Sequence, residues 1–343
     1  MKKIYLILKK IVKKIVTHRQ KEFIKKSLQK FKLRRLVNND RKRFSKNAAF
    51  SLYDDSYEQL SARIMYNVHA IEKGLSRTHE FRAGFGKSAL SALNDSLVLY
   101  EKKEFSKELF PYIEGRSIFL KYITLHREMG VNTDFMKNIV NSEYLNESLN
   151  YVAAGVKEIY LKDKLNNKEK NFYELAQGRS SVRDFSGEKV NKKDIFRAIQ
   201  NATKTPSVCN RQGWKIYLVE DKKKIEKLLE LQKGLIGYPK LPEVVLTIAI
   251  SNKAFLDSVE RNEVFIDGGL FAMSVIYGLE YEGLAAVTLN AMMNPQNEKG
   301  IRDLLGVNEA EQIILFIAVG QFKESTIVPI SDRKTAESFT KVI

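Results

Sequence analysis

The chain has 343 residues, 44% of them hydrophobic, which is enough for a sizeable core in two domains or in one domain with a long extension. Its one cysteine, Cys209, excludes an internal disulfide and is expected to be packed, and four histidines are too few for the usual Cys/His zinc site. The net charge is +17, but the first fifty residues hold 18 basic and two acidic side chains. The basic character therefore belongs to one arm, and the nearly neutral body argues against a nucleic-acid partner.

A helix is predicted over residues 1–36, with apolar and basic side chains on opposite faces. The apolar face carries Ile4, Ile7, Leu8, Ile11, Val12 and Ile15. Lysine pairs interrupt this run too often for a membrane span, and no small-residue cleavage site follows it. Such an arm binds the interface of an anionic membrane, packs on its own body or on a partner, or contacts nucleic acid, and we favour the membrane surface.

Residues 37–54 are polar enough for a linker, and only helices are predicted in the region that follows. One helix begins at Ser56 and ends at Gly74 as its C-cap. The others are predicted over residues 87–102, 112–127 and 145–163. The composition changes at residues 162–170, where Asp, Asn and Lys accumulate. We therefore predict a basic arm over 1–48, a helical domain over 49–165 and a third domain over 166–343.

In the third domain, helices alternate with strands. Helices are predicted over residues 192–203, 222–231, 262–281 and 297–305, and strands over 214–219, 243–250, 285–289 and 312–319. Glycine or proline stands at many of the joints. This order indicates the α+β class, with helices layered around a sheet and an all-helical region before it.

Two polar clusters lie close together in this domain. The first contains Arg179, Ser180, Ser181 and Arg183, and is predicted to begin a helix. Two guanidinium groups and two hydroxyls at this spacing can converge on one phosphate. An ion pair of Arg183 with Asp184 or Glu188 is the alternative. The second cluster, Ser207, Asn210 and Gln212 before Trp214, offers hydroxyl and amide groups that suit the polar edge of a flat heterocycle.

In this order, the two clusters resemble the FMN-dependent nitroreductase family, which has an Arg-x-Ser-x-Arg/Lys phosphate motif followed by Ser…Asn-x-Gln-Pro-Trp. The resemblance covers about residues 170–343. It implies a central, mostly antiparallel sheet flanked by helices, and a homodimer with a C-terminal arm that crosses to the partner. The chain departs from the pattern at Gly213, where the family usually has proline, and we expect a looser loop there.

The resemblance also implies which residues bind the cofactor, FMN. Arg179, Ser180, Ser181 and Arg183 are expected to hold its phosphate with Arg333, for which a surface charge beside Asp332 is the alternative. Ser207, Asn210 and Gln212 are expected at the polar edge of the ring system, and Thr288 and Leu289 near its reactive nitrogen through their backbone. Trp214 is predicted to pack in the core. The small residues of Asp267-Gly268-Gly269 are expected to allow close packing at the dimer interface.

For function, the resemblance implies an oxidoreductase that uses NAD(P)H to reduce a small molecule by ping-pong hydride transfer. Because FMN carries out the hydride transfer, no catalytic side chain is assigned. One alternative is other chemistry in the same fold: dehalogenation, substrate oxidation or flavin breakdown. Another is a membrane-associated binding or scaffold protein without turnover. The expected location is the cytoplasm, with a peripheral attachment of residues 1–36 to the inner membrane face.

A third group of polar residues stands between two predicted helices. His69 and Glu72 are three residues apart and share a helix face, and Arg82 follows in a glycine-rich turn. A capped helix end explains these residues without a function. The functional hypothesis is that His69 and Arg82 border the flavin pocket and select the substrate. One such pair is too little for a metal site, and none is predicted.

Overall fold

The computed structural model describes residues 17–51, 53–77, 81–146 and 153–343. Four long helices come first: α1 (His18–Asn47), α2 (Tyr57–Leu75), α3 (Lys87–Lys102) and α4 (Phe110–Glu128). Capping boxes at Thr17 and Ser56 fix the starts of α1 and α2, since each side chain accepts a hydrogen bond from the backbone three residues on. Helices α2, α3 and α4 pack around one apolar core, whereas no residue of α1 is buried.

Three predictions for this region need correction. Helix α1 runs through most of the predicted linker 37–54, and residues 1–16 of the predicted arm lie outside the described residues. Gly74 is not a C-cap but lies inside α2, where a Cβ atom would meet the Phe85 ring at 1.9 Å, and Ser76 caps the helix. The predicted helix over 145–163 is wrong, because Val156–Tyr160 is a strand, β1.

The remaining elements alternate. They are α5 (Phe172–Gly178), α6 (Lys192–Ala202), β2 (Trp214–Val219), α7 (Lys222–Gln232), β3 (Val244–Ser251), α8 (Glu263–Tyr281), β4 (Ala285–Asn290), α9 (Pro295–Leu305), β5 (Glu311–Gly320), β6 (Ser325–Pro329) and α10 (Ala336–Phe339). Strands β2 to β5 form one sheet in the order β2-β3-β5-β4, with every neighbouring pair antiparallel. The predicted antiparallel sheet flanked by helices is confirmed.

Both faces of this sheet are covered. Helices α7 and α9 pack together on one face, and α6 and α8 on the other. Strand β3 is buried from Val244 to Ile250, because each of its faces meets a helical layer. Among the described residues, one helical stretch, Ser258–Tyr281, is long and apolar enough to cross a membrane by length and composition, and half of that stretch is buried inside the protein.

A separate two-stranded ribbon connects the helical region with the C-terminus. Strand β1 pairs antiparallel with β6, from Val156 opposite Pro329 to Tyr160 opposite Ser325. The C-terminal arm that was expected to cross to a partner therefore begins with a strand that pairs within its own chain. The boundary at residue 166 stays a prediction, although β1 precedes it and β6 follows it. The ribbon carries residues 330–333 towards the first polar cluster.

Candidate functional site

The first cluster lies in an extended segment that is held against the sheet. It follows the end of α5, so the prediction that it begins a helix is wrong. The Val182 backbone N–H donates to the Ala286 carbonyl of β4 at 3.0 Å, and the side chains of Val182 and Phe185 are fully buried. Because side chains alternate along an extended chain, burying Val182 turns Ser181 and Arg183 the other way.

These residues open onto a cavity of about 550 Å³, which is within the usual range of about 300–1,000 Å³ for small-molecule sites. The cavity brings together five of the predicted phosphate residues and His69. It is lined by His69, Lys157, Ala176, Gln177, Arg179, Ser180, Ser181, Arg183, Met273, Tyr277, Pro329, Ile330, Ser331, Asp332 and Arg333. Residues 150 positions apart in the chain therefore meet at one basic pocket, which we call the anion pocket.

Arg183 is the residue of the anion pocket whose surroundings best suit an anion. Its Nη1 atom is buried and has no hydrogen-bond partner among the described residues, and burial lowers the pKa of the guanidinium. The alternative ion pair with Asp184 is not formed, because the Asp184 carboxylate accepts from Lys323 Nζ at 2.6 Å. A buried cation without a paired carboxylate is costly, and a bound anion would offset that cost.

Two further cations stand behind Arg183, at the C-terminal end of α2. The pKa of Lys73 is lowered, chiefly by burial and then by the charges of Arg183 and Arg77. The Arg77 guanidinium lies 5.3 Å from the centre of the Tyr238 ring, and its Nε atom is buried without a partner among the described residues. The helical region therefore adds positive charge to the neighbourhood of the anion pocket.

Arg333 reaches the pocket from the segment after β6. Its Nη1 atom donates to the backbone carbonyls of Ser331 and Asp332, not to the Asp332 carboxylate. Ser331 is itself held by Glu72 of α2, through its backbone N–H at 3.2 Å and its hydroxyl at 3.3 Å. The position of Arg333 thus depends on a residue of the helical region.

The second cluster lies elsewhere in the chain's fold. The Val208 backbone N–H donates to the Asp267 carboxylate at 3.1 Å, near the start of α8, whereas the anion pocket touches α8 at Met273 and Tyr277. These two points lie six and ten helical residues beyond Asp267, about 9 and 15 Å along the helix. Asn210 and Gln212 are exposed, and the Ser207 hydroxyl accepts from the Gln212 backbone N–H at 3.0 Å. Within one chain, the structure does not bring this cluster to the anion pocket.

The loop of the second cluster has an unusual backbone. Cys209, Asn210 and Gln212 all have positive φ, a conformation that costs non-glycine residues energy and often marks functional loops. Arg211 anchors the loop by an ion pair with Glu260 at 2.7 Å. The prediction that Cys209 packs inside is wrong, since this side chain is exposed.

Two expectations for the end of this loop have different outcomes. Gly213 does not loosen it, because a Cβ atom at this position would lie 2.8 Å from the Ala254 Cβ atom. Trp214 packs as predicted, with its ring 4.6 Å from that of Phe271 and nearly parallel to it. The position before the tryptophan is therefore tightly packed.

Strand β4 leads from the first cluster to another cavity. Ala286 receives the hydrogen bond from Val182, and Thr288, two residues on, lines a second cavity of about 490 Å³. Phe265 of α8 and Asn290 also line it. Leu289 is buried, so of the two residues predicted here only Thr288 offers its side chain to a ligand.

Of the two predicted substrate residues, only His69 lies in the anion pocket. Its Nδ1 atom is 3.7 Å from Glu72 Oε2. Arg82 is exposed in the turn before α3 and does not line the pocket. The part of the chain that the structure describes contains no group of three His, Cys, Asp or Glu side chains that could hold a metal ion.

Sequence reasoning missed Lys157, Tyr277 and Glu72 as neighbours of the anion pocket. Each comes from a different element, β1, α8 and α2, and no local motif connects them. The only available signal was that Glu72 and His69 share a helix face.

Comparison with known proteins tests the family resemblance that the two polar clusters predict. Residues 176–245, which include both polar clusters, match the family model described as "Nitroreductase family". We call residues 166–343, which contain this match, the nitroreductase-like half. The resemblance predicted from the two clusters is confirmed.

Among curated proteins, this chain is 25% identical over 197 residues to the "Iodotyrosine dehalogenase 1 homolog" of Caenorhabditis elegans, covering 50% of this chain and 61% of that protein. It is 22% identical over 146 residues to a "Putative NADH dehydrogenase/NAD(P)H nitroreductase" of Archaeoglobus fulgidus, covering 43% and 82%. A solved nitroreductase-like protein of Streptococcus mutans is 19% identical, with a TM-score of 0.43 and coverage of 50% and 98%. The chain thus spans less than two thirds of the dehalogenase homologue.

Proposed function

We propose that this protein is an FMN-dependent oxidoreductase whose anion pocket holds the FMN phosphate. The observation that carries the proposal is the Arg183 Nη1 atom, which is buried and has no partner among the described residues, beside Arg179, Ser181 and Arg333 in one cavity. Guanidinium and hydroxyl donors in a partly buried site are the groups that bind phosphate most strongly. The match of residues 176–245 to the nitroreductase family supports the same cofactor.

Each part of the chain has a separate task in this proposal. FMN, when bound, supplies the hydride chemistry, with NAD(P)H as the reductant and a small molecule as the acceptor in a ping-pong cycle. Arg179, Arg183 and Arg333 bind the phosphate and orient the cofactor. Thr288, which lines the second cavity, and the backbone at Leu289 would border the ring system.

We further propose that a second copy of the chain completes the site. Helix α8 exposes one apolar face, and Phe265 on that face borders the second cavity while Met273 borders the anion pocket. Gly269 lies between them, with open space around its Cβ position. A partner on this face would bring its own Asn210 and Gln212, exposed in each chain, towards the flavin. A homodimer therefore explains why the two clusters are separate in one chain.

The test is direct. The purified full chain should bind FMN and show flavin absorbance, and anaerobic addition of NADH or NADPH should bleach that absorbance. A chain that stays colourless after incubation with FMN contradicts the cofactor. If the protein binds FMN but neither nucleotide bleaches the flavin absorbance, FMN stands as the cofactor and NAD(P)H is contradicted as the reductant.

Reductive dehalogenation is the second candidate function, and the 25% identity to an iodotyrosine dehalogenase homologue favours it. In such a reaction a halogenated phenol would receive two electrons and one proton, the carbon–halogen bond would break, and halide would leave. Incubation of the dithionite-reduced protein with iodotyrosine would release iodide. Rapid flavin reoxidation by a nitroaromatic compound, without iodide release from iodotyrosine, would favour the reductase.

For the basic arm we propose attachment to an anionic membrane surface at the cytoplasmic face. In α1, Gln29 and Asp40 contact the body, with Gln29 Nε2 donating to Asp257 at 2.8 Å and Arg261 donating twice to Asp40. Phe23, Leu28 and Phe31 remain exposed. Vesicles with anionic lipid should bind the full chain and not a chain that lacks residues 1–36. If this binding occurs without any redox activity, the protein is a membrane-associated scaffold.

A further inference from the structure

We propose that Glu72, in the helical N-terminal region, is a positioning residue that shapes the anion pocket for a phosphate group. This inference rests on the proposed FMN site. It makes the helical region a part of the cofactor site and not a separate module. The residues that carry it are Glu72 itself, Gly155, Ser331, His69 and Arg333.

Glu72 connects three separate elements at one buried point. Its side chain is 2% exposed. Oε1 accepts from the Gly155 backbone N–H at 3.0 Å and from the Ser331 backbone N–H at 3.2 Å, and Oε2 accepts from the Ser331 hydroxyl at 3.3 Å. Gly155 stands immediately before β1 and Ser331 shortly after β6. One carboxylate therefore clamps the end of the ribbon onto α2.

The clamp acts on the segment that carries Arg333. Ser331 has φ of +48°, a left-handed conformation that a serine adopts only when its surroundings enforce it. The Ile330 backbone N–H donates to the Gly155 carbonyl at 2.9 Å, so the ribbon and the clamp together fix residues 330 and 331. Arg333 follows two residues later and faces the anion pocket. Loss of the clamp would release this turn and the guanidinium with it.

The same carboxylate stands behind His69. The imidazole Nδ1 atom lies 3.7 Å from Glu72 Oε2, and the ring lines the anion pocket with 44% of its side chain exposed. The other charged groups that line the pocket are Lys157, Arg179, Arg183, Asp332 and Arg333. A carboxylate beside the imidazole limits the orientations of the ring, and a ring N–H is a hydrogen-bond donor that suits phosphate oxygens. His69 is thereby assigned to the phosphate and not to substrate selection.

A purely structural role for Glu72 would make a different prediction. If the residue only joined two regions, its loss would weaken every ligand of the nitroreductase-like half to a similar degree. If it positions Arg333 and His69, its loss would weaken ligands that carry the phosphate and spare those that lack it. FMN and riboflavin differ in that phosphate, so they separate the two cases.

The experiment measures the dissociation constants of FMN and riboflavin for the full-length wild type and for Glu72→Gln, which keeps the shape and removes the charge. The FMN constant should rise by roughly tenfold or more, while the riboflavin constant changes by less than about twofold. Ser331→Ala, which removes one of the three hydrogen bonds, should show a smaller change in the same direction and serves as the second variant if Glu72→Gln does not fold.

Glu101→Gln is the matched control. This carboxylate is in the same helical region and is paired with Tyr112 and Lys107, away from the pocket, so both constants should stay at the wild-type values. Equal weakening of FMN and riboflavin in Glu72→Gln, or no change in either variant, would overturn the inference while the FMN site stands. A wild type that binds neither flavin would overturn the proposed function and this inference with it.

Discussion

The two polar clusters of the nitroreductase-like half have opposite surroundings in the same chain. Arg179 to Arg183 form part of a basic pocket with Arg333 and His69, whereas Asn210 and Gln212 stand exposed on a strained loop near the start of α8. All five residues predicted to hold the phosphate line this pocket within a single chain. We propose that phosphate recognition belongs to one chain and that ring recognition belongs to the contact between two.

The largest effect is expected from removing Arg179 and Arg183 together, a pair that we call the fork. In Arg179→Ala/Arg183→Ala, several charge-assisted hydrogen bonds to phosphate are lost, and FMN affinity should fall by roughly a hundredfold or more. Equilibrium titration of flavin fluorescence measures this. Arg197→Ala, which removes a surface arginine paired with Glu282, is the control and should bind FMN as the wild type does. Unchanged affinity in the double variant would remove the fork from the site.

A mixing experiment examines the second cluster. Asn210→Ala/Gln212→Ala should weaken FMN by roughly tenfold, because it removes neutral hydrogen bonds. Suppose that the two clusters of one site come from different chains. Mixing this variant with Arg179→Ala/Arg183→Ala should then restore about one intact site per mixed dimer, because one chain keeps its arginines and the other keeps Asn210 and Gln212. The measurement is tight FMN binding by the mixture, which neither variant shows alone. No recovery after subunit exchange would place both clusters of a site in one chain.

The exposed face of α8 allows a third test. Phe265→Glu puts a charge into the proposed contact, so the protein should become monomeric and FMN should bind several-fold more weakly. Phe196→Glu is the matched control, because the two phenylalanines are 55% and 57% exposed but Phe196 lies on α6. Light scattering reports the mass and flavin titration the affinity. A wild type that is already monomeric would contradict the dimer.

The smallest effect on FMN binding is expected at Glu114, a fully buried carboxyl whose two oxygens lack partners among the described residues. Burial raises its pKa to about 8, and the charges of Asp332 and Glu72 add to this. The folded chain therefore keeps a proton that the unfolded chain releases above its ordinary pKa near 4.5, so stability falls as the pH rises from 4.5 to 8.

Glu114→Gln removes the titrating carboxyl and with it this loss of stability at higher pH. Urea unfolding should show the variant more stable than the wild type by on the order of a few kcal/mol at pH 8, with a smaller difference at pH 5. The FMN constant should remain unchanged at either pH. A difference that does not depend on pH would mean that Glu114 does not titrate in this range.

Much of the nitroreductase-like half was predictable because local sequence patterns mark its helices and strands. The sequence patterns predicted β2 at its observed bounds and β3 and α8 within one residue at each end, since apolar runs and polar joints mark them. Strand β1 was missed because its partner β6 lies about 170 residues later, and nothing in Val156–Tyr160 reveals that pairing. Gly74 was assigned to a helix end, although the close approach of Phe85 requires it.

The residues of the candidate site also fall into those that the sequence predicted and those that it did not. The fork was predicted as a phosphate site from its residue types and spacing, whereas Arg333 was identified through the family resemblance. Lys157 and Tyr277 could not be found, because each reaches the anion pocket through tertiary packing of a different element. Glu72 was grouped with His69, but its contact with Ser331 could not be predicted, because 259 residues separate the two. The partly unpaired charge of Arg183 is a property of burial, and no sequence pattern encodes burial of a single arginine.

The central claim is that the anion pocket recognises the phosphate of FMN. The most direct measurement is the ratio of riboflavin to FMN dissociation constants for the wild-type full chain at one pH and salt concentration. We predict that FMN binds at least roughly a hundredfold more tightly than riboflavin. Equal affinity for the two flavins, or binding of neither, would contradict the account.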